Sequence, residues 1–160
     1  MRKHLALLSL CAAATTACES PISPDELLRL ADAKAQWDAR PFSDYSFEVR
    51  QSCSCPFEWT QWARVEVVAG QITRVVLIAT GSDLPPPQRD YFPTVERIFE
   101  MIGATRSDDW VEDISVAYDP QLGYPTLVAF RPKPNILDAG GAFYLRNAGP
   151  MPVPPPVRAP

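Results

Sequence analysis

Hydrophobic and polar positions alternate most cleanly between Tyr45 and Arg50, where Tyr45, Phe47 and Val49 interleave with Ser46, Glu48 and Arg50. A period of two is that of a half-buried strand. Carried forward in register, it places Cys53 and Cys55 on the apolar side. The pattern returns at Ala63, Val65 and Val67, against Trp62, Arg64 and Glu66. Ala69-Gly70 then marks a tight turn, and the run from Gln71 to Thr80 predicts a third strand. The continuous stretch Val75 to Ile78 leaves the buried face of that strand open. These three segments predict an antiparallel meander whose wet face carries Glu48, Arg50, Arg64 and Glu66 as cross-strand charges.

Two helical patterns flank the meander. Ser23 as N-cap, Pro24 at the first helical position and Glu26 three residues after the cap announce the first. Leu27, Leu28, Ala31 and Ala35 supply its apolar face, widened by Leu30 and Trp37, with Trp37 as the packing anchor. Pro41 ends it. Residues 81–93 form a loop around Pro85-Pro86-Pro87, a run that favours polyproline II. Thr94 caps the second helix, on which Val95, Ile98, Phe99 and Ile102 share a face and which Gly103 ends. A fourth strand covers Ile114 to Tyr118, and Asp119 to Pro125 is a connection with Gly123 free to take positive φ. Thr126 to Arg131 is a fifth strand, closed by Pro132 and Pro134. Ala142 to Arg146 reads as a short edge strand. The expected fold is therefore α+β in two layers: one antiparallel sheet of about five to six strands with two helices on one face.

The ends of the chain change the picture of where it works. Arg2 and Lys3, the apolar run Leu5 to Ala14, and Thr15-Thr16-Ala17 before Cys18 have the order of an export signal. Small residues directly before a cysteine resemble a bacterial lipoprotein signal, in which Cys18 is acylated and becomes the mature N-terminus. Thr15 stands where such signals usually have leucine, so an ordinary secretory signal is the alternative. The expected organisation is a signal at residues 1–17, a tether at 18–22, one domain at 23–147 and a proline-rich, extended tail at 148–160. Envelope residence follows, and Glu19 in place of aspartate favours the outer over the inner membrane.

Charge and cysteine content narrow the chemistry. Of 160 residues, 15 are basic and 19 acidic. Loss of Arg2 and Lys3 leaves 13 basic residues against 19, a net charge of −6, without a basic stripe for nucleic acid. His4 is the single histidine and leaves with the signal, so the mature chain has no Ser-His or Cys-His pair and no histidine-ligated metal. Asp108, Asp109, Glu112 and Asp113 are clustered but lack the rhythm of a calcium loop and read as a solvated patch. Asp119 suits an Asx-type turn as well as a general base.

Several of these segments recur together in one family. The tryptophan helix, Tyr45-x-Phe47 leading to Cys53-x-Cys55, the hairpin at Gly70, Thr94-Val95-x-x-Ile98-Phe99, and Tyr118-Asp119-Pro120 with Gly123-Tyr124-Pro125 resemble bacterial exported proteins grouped as domain of unknown function 6174. The similarity covers roughly residues 30 to 146. It implies an exported, often lipid-anchored domain and brings no activity or catalytic residue.

What remains is the pair Cys53 and Cys55. A local disulfide is expected in an oxidising compartment; a two-thiolate Cu(I) site and a reactive redox pair are the alternatives. No cofactor, resident metal or catalytic residue is expected. The sequence thus predicts a non-catalytic envelope lipoprotein that binds or supports a protein or other macromolecule and reaches the membrane through its lipid. A thiol-based redox or Cu(I)-handling role for Cys53 and Cys55 is the alternative. Oligomeric state is left open.

Overall fold

The computed structural model describes residues 20–136 and 140–151. Cys18, the signal and most of the expected tail lie outside these residues. Helix α1 spans Pro24–Asp38, and the Ser23 hydroxyl accepts from the Glu26 amide at 3.1 Å. Strand β1 covers Tyr45–Ser52; a short 3-10 turn at Phe57–Thr60 leads into β2, Ala63–Val68, and β3, Gln71–Leu77. Then come a single helical turn, α2 at Pro86–Arg89, and α3 at Val95–Ala104, capped by Thr94. Three strands finish the domain: β4 at Val111–Tyr118, β5 at Pro125–Pro132 and β6 at Gly141–Pro150.

All six strands form one antiparallel sheet in the order β3-β2-β1-β6-β5-β4. The fold is α+β. Tyr45, Phe47 and Val49 of β1, Ala63, Val65 and Val67 of β2, and Leu145 of β6 turn toward the helices and are buried with Leu30, Trp37, Val95, Ile98, Phe99 and Ile102. Two tight turns depend on backbone that few residues adopt. Ala69 and Gly70 both have positive φ, 48° and 75°, the geometry that matches hairpin twist to strand twist. Gly123 has φ 78°, and a Cβ there would run into the Ala33 carbonyl. The β4–β5 turn therefore presses directly on α1, where the Gln36 amide donates to the carbonyls of Pro120 and Gln121.

Several sequence expectations are corrected. The segment expected as a short edge strand is the ten-residue β6, held between β1 and β5 near the middle of the sheet. It runs through residues 148–150, so the domain extends past 147 and the tail begins later than expected. Here Pro150 stands at a strand end and pairs with Tyr45, where a missing amide costs least. Strand β1 ends at Ser52, and the cysteines follow in a bend instead of continuing the ladder. Pro86 and Pro87 open a helical turn because proline's fixed φ suits the first helical positions. Gly103 does not end α3; it lies inside the helix against Leu30 of α1, and a 3-10 turn, Thr105–Ser107, carries the chain on. Finally, α1 buries Leu30, Ala33 and Trp37, while Leu28, Ala31 and Ala35 stay exposed.

Candidate functional site

Beyond Ser52 the chain bends sharply. Cys53 and Cys55 lie with their sulfurs at disulfide distance and their Cα atoms 5.2 Å apart. Extended residues two apart would be separated by about 6.5–7 Å, so the bend itself brings them together. Both cysteines are half-buried. This bend forms one wall of a cleft of about 460 Å³, floored by Met101 of α3, Trp110, Phe130 of β5 and Phe143 of β6. Gln51, Arg97 and Asp108 bring polar groups to it. Arg97 also pairs with Glu100 at 2.8 Å, and the Gln51 amide donates to the Tyr91 carbonyl at 3.0 Å. Past Arg97, Met101 and Phe143 the depression continues into a second cleft of about 530 Å³ toward Tyr91 and the β2–β3 turn.

The cleft exists because α3 covers only part of the sheet. Its buried stripe, Val95, Ile98, Phe99 and Ile102, sits over the centre, which leaves Arg97, Met101 and Ala104 on the flank above the ends of β1, β5 and β6. A volume of several hundred Å³, an apolar floor and a few polar groups are the general attributes of a ligand site. None of its residues forms a nucleophile–base pair. Its groups offer shape, an apolar surface and a charge.

Elsewhere the polar groups are committed to the fold. Glu96, in the first turn of α3, accepts from the Trp37 indole at 2.9 Å, Arg40 at 2.9 Å and the Tyr45 hydroxyl at 2.5 Å. The Tyr45 oxygen in turn accepts from the Val95 amide at 3.2 Å. Burial works against ionisation of Glu96, but the Tyr45 and Trp37 hydrogen bonds and the Arg40 charge hold its carboxyl below the usual range. Burial first, then Glu96, pushes the Tyr45 hydroxyl far above its ordinary value. On the opposite face Glu48 is buried under Arg146, at 2.7 Å, Arg64, at 3.4 Å, and Asn147. Burial opposes its ionisation too, yet Arg146 and the other partners keep the carboxyl below its ordinary range.

Residues 29–150 match the family of unknown function DUF6174. The chain belongs to this family. No curated protein and no solved structure matches it significantly. The DUF6174 match spans α1 from Arg29 through the end of β6, so both walls of the cleft and the Glu96 cluster are family territory.

Within the DUF6174 domain, Asp108, Asp109 and Glu112 of the expected acidic patch line one depression together with Arg106 and Lys133. Asp108 faces the cleft, whereas Glu112 and Asp113 both reach Arg131, at 3.5 and 3.3 Å. Among the described residues no group of three or more His, Cys, Asp or Glu is placed to hold a metal ion. Asp119 forms an Asx-type turn, its carboxylate accepting from the amides of Gln121 and Leu122. The cleft floor was not legible as a site in the sequence, because Met101, Trp110, Phe130 and Phe143 meet only through the sheet order. Glu96 was hidden for another reason: an acid in a first helical turn is what the helix dipole favours anyway.

The Glu96 cluster predicts how stability depends on pH. A carboxyl whose folded value is depressed contributes stability above its unfolded pKa, near 4.5, and that stability is lost as pH falls. A tyrosine whose folded value is raised contributes stability below its unfolded pKa, near 10.0, and loses it as pH rises further. The urea midpoint is expected to drop on both sides of a broad plateau. Glu96→Gln should shrink the acid arm without removing it, since Glu48 contributes as well; Tyr45→Phe should shrink the alkaline arm. An unchanged acid arm in Glu96→Gln would overturn this assignment.

Proposed function

We propose that this chain is an exported, lipid-anchored, non-catalytic binding module of the cell envelope, attached through Cys18. Its cleft receives an apolar side chain of an envelope partner. The observation that carries this reading is the cleft between α3 and the cysteine bend, with its floor of Met101, Trp110, Phe130 and Phe143. An aromatic or long aliphatic side chain buried in such a pocket is the usual anchor of a protein interface. Arg97 and Asp108 at the same opening suit polar groups beside that anchor.

Two measurements test the two halves of the proposal. Labelled fatty acid is expected to enter the wild-type protein and not Cys18→Ser; absence of label from the wild type removes the anchor. The neutral apolar probe N-phenyl-1-naphthylamine is expected to bind saturably with enhanced, blue-shifted emission. Met101→Glu should weaken it at least tenfold while the thermal midpoint stays within a few degrees. Binding that never saturates, or that Met101→Glu leaves intact, overturns the cleft as a binding site.

One observation favours a second reading, because Cys53 itself borders the cleft and anything bound there lies beside a sulfur. In the binding reading the pair is a disulfide that shapes the wall. Alkylation of protein from the envelope is then expected to modify neither cysteine before reduction and both after it. Two free thiols at that stage would favour Cu(I) handling. Accelerated disulfide exchange, lost in the double Cys→Ser variant, would favour redox chemistry.

A further inference from the structure

The sheet face opposite the helices carries a row of residues that the cleft does not use. Arg50 of β1 pairs across the ladder with Tyr144 of β6, which pairs with Leu127 of β5, which pairs with Ala117 of β4. On its other side Arg50 faces Trp62, immediately before β2, whose carbonyl accepts from Ile78. The row is apolar or aromatic at every place but one. Arg50 is the exception, and its guanidinium carbon lies 4.6 Å from the Tyr144 ring centre and 5.5 Å from that of Trp62.

A cation held by ring contacts alone keeps its N–H groups free for other acceptors. Among the described residues the Arg50 side chain has no hydrogen-bond or ion-pair partner, although the side chains of neighbouring arginines do. Arg64 and Arg146, one rung away, share Glu48, and Arg146 also lies 4.0 Å over Trp62. The two rungs together hold three arginines and one glutamate, a local charge of +2 on a chain whose net charge is −4.

From this juxtaposition we infer that Arg50, with Trp62 and Tyr144 beside it and Arg64 and Arg146 one rung away, is a binding site for a phosphate group. The fork of Arg50 supplies a bidentate contact to two phosphate oxygens. The charge of the two rungs complements that of a phosphate monoester, about −1.5 to −2 at neutral pH. Trp62, Tyr144 and Leu127 make the surroundings of the ion pair apolar, which strengthens it relative to open water. A soluble phosphate ester and a phospholipid headgroup both offer two phosphate oxygens to the fork, the headgroup, a diester, with a single negative charge.

The test uses the full chain in a neutral detergent and follows glycerol phosphate and inorganic phosphate by broadening of the ligand's own phosphorus resonance, which reads wild type and variants alike. A second arm measures partition onto vesicles of phosphatidylcholine with and without phosphatidylglycerol. Arg50→Gln is expected to weaken phosphate binding at least tenfold, with a thermal midpoint within about 3 °C of wild type. Arg50→Lys should recover little of it, because an ammonium lacks the planar fork. Binding of free phosphate that depends on Arg50 assigns the site to soluble phosphate esters. Dependence on Arg50 seen only with phosphatidylglycerol assigns it to headgroups. No binding in either arm, or binding that survives Arg50→Gln or is fully restored by Arg50→Lys, overturns the site.

Discussion

Replacing Trp37 by alanine is expected to cost about 3–5 kcal/mol, the range for emptying a large aromatic from a core. The indole is wholly buried and meets Tyr45, Phe42 and Tyr124 edge to face. Arg40 covers its ring at 4.1 Å, and its N–H donates to Glu96. Alanine therefore opens a cavity and also leaves Glu96 with one donor fewer. Set against a total stability of about 5–15 kcal/mol, the loss should bring the domain near its threshold. Urea unfolding measures it directly. Trp37→Phe keeps one aromatic ring in the core while removing the donor and the second ring; it should cost less than Trp37→Ala. A Trp37→Ala midpoint close to wild type would mean that α1 is not anchored through this side chain.

Truncation within β6 is expected to be more drastic. A stop after Ala142 removes the strand that pairs with both β1 and β5, together with Leu145 from the core and Arg146 from Glu48. It would leave the three-stranded piece β1-β2-β3 and the two-stranded piece β4-β5 with no ladder between them. The expected result is a chain with no cooperative unfolding transition by circular dichroism. A stop after Ala148 removes only the pairings of Gly149 and Pro150 and should cost on the order of 1 kcal/mol, the scale of one or two net hydrogen bonds. A cooperative fold after the first truncation would contradict the sheet order.

The contrast between these two truncations shows where sequence reasoning reached and where it stopped. Local periodicity located β1, β2 and α3 because each alternates or repeats with a clean period against one buried side. The capping residues Ser23 and Thr94 were equally local. Strand β6 was underestimated because Arg146, Asn147, Gly149 and Pro150 look like an ending, and only non-local pairing with β1 makes them a strand. Alternation puts Glu48 on the wet face with Ser46 and Arg50. Its burial comes from Arg64 and Arg146 on adjacent strands, 16 and 98 residues away. The α1 face was misjudged by a fraction of a turn, since Leu28 and Ala33 differ in burial through what lies opposite them. Cys53 and Cys55 were visible by residue type alone, whereas the cleft beside them required the sheet order.

That order also dictates a timetable. β1-β2-β3 and β4-β5-β6 are each meanders of neighbouring strands, and the seam between them joins the first strand to the last. Closing a seam across nearly the whole chain is entropically slow compared with closing the hairpins inside each half. A chain emerging from its N-terminus can complete the first meander early but leaves the free edge of β1 waiting until residues 141–150 arrive. Until then the sheet consists of two halves with no completed seam between them. The final strand acts as a latch that commits the whole domain at once.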